Sequence, residues 1–333
     1  MIRYDIKVFN KDGTFKTTIN PNVIMNDISF TENVNWWQWQ LTLNLALSFW
    51  DRTFQGWDLI KVVLYNERYK QGKQVYFGYI TQITRKYDTN KGYIQLICLW
   101  IASLLNKIRF SGSYAWTITS VLNQIFSTFE NNYPWLISIE QIDSYPESVS
   151  VEFDSNMTCQ KAIKVLSETA NYYRFVDSEW LFYFRKKNTQ KNHIVSNWSS
   201  VETMSLNYSF ESIVNKLYLE REWWNLQIYQ DIESQNKYWI KEWFEVEASI
   251  VNQTTQDEYW NNYIAQYKDP KNASQIVVNS KYDIESIQPW DTISVVNTEY
   301  EVKNLLIEKL QYTPVKITLT LEENETLRDV INK

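Results

Sequence analysis

The chain contains 333 residues, 44% hydrophobic and 16% aromatic, which excludes an intrinsically disordered protein and allows two or three domains with cores of their own. Its 33 basic and 39 acidic residues give a formal net charge of −6, which argues against a surface that binds nucleic acid specifically. No apolar run reaches the ~18 residues that a membrane-spanning helix needs, so we expect no membrane insertion.

Residues 1–110 have the pattern of an antiparallel β domain. The Asp12-Gly13 pair predicts a tight turn between two strands, because glycine readily takes the positive φ of hairpin turns. Between Leu41 and Leu47, leucine alternates with Thr, Asn and Ala, which indicates a strand with one buried face. Further strands are predicted at 59–66, 74–87 and 92–99, and a short helix at 101–107. We therefore expect an N-terminal domain that is a closed or split β-barrel.

Residues 111–195 change from a period of two to a helical period. Apolar residues recur at helical spacing over 117–131 and again over 158–171, where Thr158 or Ser155 can cap the second helix. Strands are predicted at 148–153, 172–177 and 181–187. This order predicts a small α+β insert domain.

The β character returns over 196–333. One helix is predicted at 255–268, and Pro270 just beyond it favours a stop there. Strands are predicted at 212–222, at 246–250 as the end of another, and at 274–280, 291–297, 300–312 and 315–322. The chain is thus predicted to be α+β and mainly β, with two antiparallel β-barrel-like domains separated by the α+β insert.

The most unusual feature of the sequence is its balance of Trp and Gly. The chain has 16 Trp and only 6 Gly, and no Gly follows Gly112, whereas an average chain has about 7% Gly. Trp stands at positions where a turn favours Gly, namely Trp36, Trp37, Trp39, Trp57, Trp180, Trp239 and Trp290.

Two hypotheses explain these residues. In the first, many of the Trp correspond to a UGA codon that the host reads as Gly, which would bring Gly close to its average share. In the second, the chain uses indoles as core or as platforms that stack on sugars. The turn positions favour the first hypothesis, because Pro289-Trp290-Asp291 stands where Pro-Gly-Asp is ordinary turn chemistry.

Seven segments form a recognisable order along the chain. They are 23–47, FQGWDLIKVVLYN (54–66), VYFGYITQITRKY (75–87), DSEWLFYF (177–184), SIVNKLYLE (212–220), SQNKYWIKEWFEV (234–246) and 284–322. In this order they resemble the tail-tip or baseplate hub proteins of tailed bacteriophages, a family that includes the N-terminal part of tail-associated lysins and minor tail proteins. The resemblance covers nearly the whole chain, and its departures are concentrated where the family has Gly and this chain has Trp.

The resemblance implies a homotrimeric ring that continues the tail tube, with two barrels per subunit forming a pseudo-sixfold collar. It implies a tail tube or distal tail protein on one side and a spike, fibre or lysin module on the other. The location would be the virion tail tip, after assembly in the host cytoplasm. The acidic charge suits a ring through which DNA slides, so we expect a lumen poor in Arg and Lys.

Few residues offer catalytic chemistry. His193 is the only histidine, and its polar surroundings predict a solvated surface residue. Cys98 and Cys159 lie in apolar segments and are predicted to be buried free thiols. We find no metal-ligand spacing and no Gly-rich phosphate loop, so we predict no enzyme and assign no catalytic, cofactor-binding or metal-binding residue.

Carboxylates are the remaining candidates. A cluster of acids close to Trp residues leaves open an alternative function, a tail protein that binds or hydrolyses cell-wall carbohydrate with two acids across an aromatic cleft. Exposed charge on strands and helices explains the same residues more simply. The cluster consists of Glu220, Glu222, Glu242, Glu245, Glu247, Asp257 and Glu258, with Trp223, Trp224 and Trp243.

Overall fold

The fold is that of a computed structural model. It describes residues 3–24, 28–33, 40–46, 54–87, 92–145, 148–186, 191–221, 225–246, 252–272, 274–296, 302–313 and 315–322.

The described residues of the N-terminal part form seven strands. They are β1 (Arg3–Phe9), β2 (Phe15–Ile19), β3 (Phe30–Asn33), β4 (Gln40–Ala46), β5 (Leu59–Tyr65), β6 (Lys73–Tyr87) and β7 (Gly92–Trp100). Six of them form one antiparallel sheet in the order β2-β1-β5-β6-β7-β4, and alternate residues of its strands, such as Leu41, Leu43 and Leu45, are buried on one side of it. The predicted helix at 101–107 is a 3₁₀ helix over Ile101–Asn106.

The described residues of the middle part form two helices and five short strands. They are β8 (Gly112–Thr117), α1 (Ile118–Glu130), β9 (Ser138–Ile142), β10 (Ser148–Phe153), α2 (Cys159–Ala170), β11 (Tyr172–Val176) and β12 (Leu181–Lys186). Both helices begin after a threonine whose hydroxyl accepts a backbone N–H of the first turn, Thr117 for α1 and Thr158 for α2. The α+β pattern predicted for this segment is present.

The described residues of the C-terminal part form three sheets, one large, one of three strands and one of two strands. The elements are β13 (Asn192–Ser196), β14 (Val201–Ser205), β15 (Tyr208–Ser209), β16 (Lys216–Arg221), β17 (Asn225–Gln230), α3 (Ile232–Tyr238), β18 (Glu242–Val246), α4 (Gln253–Tyr267), β19 (Lys271–Asn272), β20 (Ser274–Asn279), β21 (Thr292–Val296), β22 (Val302–Tyr312) and β23 (Lys316–Glu322). The large sheet has the order β13-β21-β22-β23-β20-β14, and β3 from the N-terminal part also pairs with β22.

The predicted fold class is confirmed, because two curled sheets dominate an α+β chain that is mainly β. The domain limits 1–110, 111–195 and 196–333 stay predictions. Residues 30–33 and 192–196 both contribute strands to the second large sheet, so pairing crosses each of these limits. Within the described ranges, no helix is long and apolar enough to span a bilayer.

Candidate functional site

One small sheet carries an exposed apolar surface. Its strand order is β17-β16-β18, with β17 antiparallel and β18 parallel to β16. In β16, Leu217 and Leu219 point inwards and are fully buried, so the alternate residues point outwards. We call the outward apolar side chains Leu226, Ile228, Phe244 and Val246 the exposed sheet face.

The register places these four side chains together. Ile228 and Phe244 both lie opposite Tyr218, one on each side of it, and Leu226 and Val246 flank the next outward position of β16. Each of the four is between 53% and 56% exposed. Clustered apolar side chains of this kind mark interaction surfaces more often than single ones do.

Polar side chains of Lys216, Tyr218 and Glu242 lie on the same side of this sheet, and Tyr218 separates Ile228 from Phe244. Lys216 Nζ lies 2.7 Å from Glu242 Oε1, and the Tyr218 hydroxyl donates to the same oxygen at 3.0 Å. These donors lower the pKa of the Glu242 carboxyl, and Glu242 in turn raises the pKa of Lys216. Glu242 is half exposed, so these contacts contribute little to the stability of the fold.

Asn215 fixes the segment that connects β17 to β18. Its side chain is fully buried; Nδ2 donates to the Ser234 hydroxyl at 3.2 Å and to the Trp239 carbonyl at 2.8 Å, and Oδ1 accepts the Lys241 N–H at 2.8 Å. Its own carbonyl accepts the Asp231 N–H at 3.0 Å. Through its side-chain amide and its main-chain carbonyl, Asn215 therefore holds both ends of α3, so that β18 returns beside β16.

The sequence pattern predicts a strand over 212–222 and indicates no role for Asn215. In the structure, β16 begins only at Lys216, because Asn215 bonds to α3 and its flanks. An Asn between apolar residues and a strand was the available signal.

The structure describes four of the seven turn positions at which Gly was expected. Their φ angles are 75° at Trp57, 61° at Trp180, 64° at Trp239 and 75° at Trp290. Trp135, which was not among the seven, also has a positive φ of 61°. Trp36, Trp37 and Trp39 lie outside the described residues, and the positions as a set do not converge on one site.

The prediction that His193 is a solvated surface residue is wrong. His193 lies in β13 with its side chain turned inwards, 1% exposed, because the strand pairs with β21 and its alternate residues face the core. Nε2 lies 2.8 Å from Asp291 Oδ2 and Nδ1 lies 3.0 Å from the Tyr282 hydroxyl. The ring therefore joins β13 to the turn before β21.

The structure describes four of the carboxylates considered for a carbohydrate site, and each has a different hydrogen-bond partner. Glu258 accepts from the Tyr145 hydroxyl at 3.2 Å, and Asp257 accepts from the Tyr229 hydroxyl at 2.5 Å. Glu245 accepts the Trp243 indole N–H at 2.8 Å. Glu222, Glu247, Trp223 and Trp224 lie outside the described residues, as does the side chain of Glu220. Within the described part of the chain, no group of His, Cys, Asp and Glu residues could hold a metal ion.

The two cysteines are buried and free, as predicted. Burial raises the pKa of the Cys98 thiol well above its usual range and that of Cys159 to about 12. Thiolates are the reactive form of cysteine, so both side chains are expected to be unreactive at neutral pH.

No protein-family model matches the chain, and no curated protein matches it. Solved structures do share its fold. The tail protein from Neisseria meningitidis MC58 has a TM-score of 0.70 and 10% identity, with 96% of each chain covered. The 43 kDa tail protein of prophage MuSo2 from Shewanella oneidensis has a TM-score of 0.68 and 10% identity, with 96% of this chain and 98% of that chain covered.

A third structure comes from a secretion system. The E. coli c3393 protein, a component of the type VI secretion system with structural similarity to T4 bacteriophage tail proteins gp27 and gp5, has a TM-score of 0.52. Its identity is 9%, with 98% of this chain and 75% of that chain covered. The resemblance to phage tail proteins is thus confirmed at the level of the fold.

Proposed function

We propose that the chain is a structural, non-enzymatic hub protein of a phage tail tip or baseplate, working as a homotrimeric ring. The observation that carries the proposal is the arrangement of two curled sheets in one chain, shared end to end with tail proteins. On one side the ring contacts a tail tube or distal tail protein, and on the other it anchors a spike, fibre or lysin module.

The presence of two barrel-like sheets in each chain also supports a trimeric ring, through symmetry. A chain with two barrel-like units supplies six such units when three copies close into a ring through head-to-tail contacts. These six units would form the pseudo-sixfold collar that the sequence resemblance implies. The net charge of −6 is compatible with a channel for DNA, whose phosphates a basic wall would retain.

The exposed sheet face is the proposed contact between neighbouring subunits. Leu226, Ile228, Phe244 and Val246 are each about half exposed in the single chain, and burying them against a neighbour removes apolar area from water. A stable contact needs more than ~1,000 Å² of total buried surface, so the face is expected to form the centre of a larger interface.

Two charge substitutions test this interface. Ile228→Glu and Phe244→Glu place a carboxylate in the centre of the exposed sheet face, where burial against a neighbour would be costly. Val315→Glu is the matched control, because Val315 is 57% exposed and lies before β23, away from that face. The molar mass of each protein is measured by light scattering after size-exclusion chromatography.

The proposal predicts three chains per particle for the original protein and for the Val315 variant, and single chains for the two face variants. Far-ultraviolet circular dichroism is expected to be the same for all four proteins. The proposal would be contradicted if the unsubstituted protein is a monomer at micromolar concentration, or if the two face variants remain trimers.

A further inference from the structure

We infer that residues 57, 135, 180, 239 and 290, written as Trp, are glycine in the protein that the natural host makes, because that host reads UGA as glycine. This inference does not depend on the proposed function. It rests on backbone geometry at five separate turns, and it extends the sequence hypothesis to a position that composition did not reveal.

Among the described non-glycine residues, a positive φ occurs mainly at Trp. Ten of the 16 Trp lie within the described ranges, and five of these ten have φ between 61° and 75°. Across the same ranges, the other non-glycine residues with positive φ are Asn171 and Asn304. Asparagine tolerates this region, whereas a bulky side chain there is a genuine outlier.

Three of the five turns place Trp where a type II turn needs glycine. The Asp58 N–H donates to the Gln55 carbonyl, which closes a four-residue turn with Trp57 at its third position. The Asp291 N–H likewise donates to the Gln288 carbonyl, with Trp290 third and Pro289 second. Trp135 also has a positive φ and follows a proline, Pro134, and Pro-Gly is the usual pair at the second and third positions of a type II turn.

Trp180 occupies the glycine position of a different turn. The hairpin between β11 and β12 has a three-residue loop, closed by the Trp180 N–H donating to the Asp177 carbonyl and the Asp177 N–H donating to the Leu181 carbonyl. Loops of this length end with a residue in the left-handed region, which is normally glycine.

Trp239 has the most restrictive backbone of the five. It follows α3 with φ 64° and ψ 172°, a combination that is essentially confined to glycine. Its indole is 82% exposed, so no packing of the ring compensates for this conformation. Its carbonyl accepts a hydrogen bond from Asn215, which fixes the backbone in this form.

Trp290 is also too crowded for an indole. Its ring centroid lies 3.0 Å from that of Phe175 with the planes 13° apart, closer than the 4.5–7 Å at which aromatic pairs pack. Glycine at position 290 would remove this overlap and keep the turn, in which the residue's N–H donates to the Ile307 carbonyl.

The natural gene sequence and the masses of peptides from the natural protein test the inference directly. The gene is expected to carry TGA at all five positions, and peptide mass spectrometry of the protein from natural particles is expected to show the glycine mass at each. TGG in the gene, or the tryptophan mass in the peptide, at any of these positions would overturn the inference there.

Recombinant proteins provide an independent test. One variant carries Trp→Gly at positions 57, 135, 180, 239 and 290. The control carries Trp116→Gly, Trp198→Gly and Trp243→Gly, which remove exposed indoles from described positions without a positive φ. The first variant is expected to unfold at a temperature at least ~5 °C higher than the chain as written, whereas the control is expected to be unchanged or lower. A lower melting temperature for the first variant would contradict the inference.

Discussion

At the scale of single residues, the positive φ angles at five Trp residues explain why the sequence has so many Trp and so few Gly. A non-glycine residue with positive φ costs about 1–3 kcal/mol, so five indoles in that region would cost an amount of the same order as the ~5–15 kcal/mol by which a domain is stable. The six glycines are also few for a chain whose described residues form 23 strands. Pro289-Trp290-Asp291 could be recognised from the sequence, but Trp135 could not, because local pattern does not determine φ.

Asn215 is a fully buried polar residue that holds α3 between the two outer strands of the sheet with the exposed sheet face. Asn215→Ala removes three side-chain hydrogen bonds and leaves the Lys241 N–H and the Trp239 carbonyl without this partner, so we expect a loss of about 2–4 kcal/mol in the free energy of unfolding. Urea denaturation measures this loss. Asn123→Ala on the exposed side of α1 is the control and is expected to change stability by less than about 0.5 kcal/mol. Equal stability of the two variants would contradict the role given to Asn215.

The buried thiols make a prediction about reactivity. Because burial raises the pKa of both Cys98 and Cys159, native protein at pH 8 is expected to react with a thiol reagent such as Ellman's reagent far more slowly than denatured protein. Denaturation is expected to release two reactive thiols per chain. Rapid labelling of two thiols in the native protein would show that these side chains are accessible.

At the scale of elements, regular patterns were predictable and irregular ones were not. Helices α1 and α2 have long apolar stripes, and their predicted ranges agree with the structure to within a residue or two. Helix α3 was missed because its seven residues are too few for a period to be recognised, and it is held by the Asp231 cap and by Asn215. The inward position of His193 depends on pairing with β21, about 100 residues away, which local sequence does not encode.

The N-terminal sheet offers a test of the strand pattern. Leu43 is fully buried in β4 opposite Leu96 of β7, so Leu43→Asp is expected to lower the free energy of unfolding by about 3–5 kcal/mol through a buried, unpaired carboxylate. Gln40→Asp at the exposed start of the same strand is the control and is expected to have little effect. Both changes are measured by thermal unfolding, and equal melting temperatures would contradict the predicted orientation of β4.

At the scale of the whole molecule, the order of a β region, an α+β insert and a second β region could be predicted from hydrophobic periodicity. The link between the two large sheets could not, because β3 pairs with β22 across about 280 residues. The exposed sheet face was also not predicted, since apolar residues in β17 and β18 have the same pattern whether a strand faces the core or a neighbouring subunit.

An electron cryomicroscopy reconstruction of tails from natural particles tests the hub proposal most directly. We expect three copies of this chain in a closed ring at the tip of the tail, with two barrel-like units per copy around the channel and the exposed sheet face buried between neighbouring copies. Finding the chain elsewhere in the particle, or in a ring that does not contain three copies, would contradict the proposal.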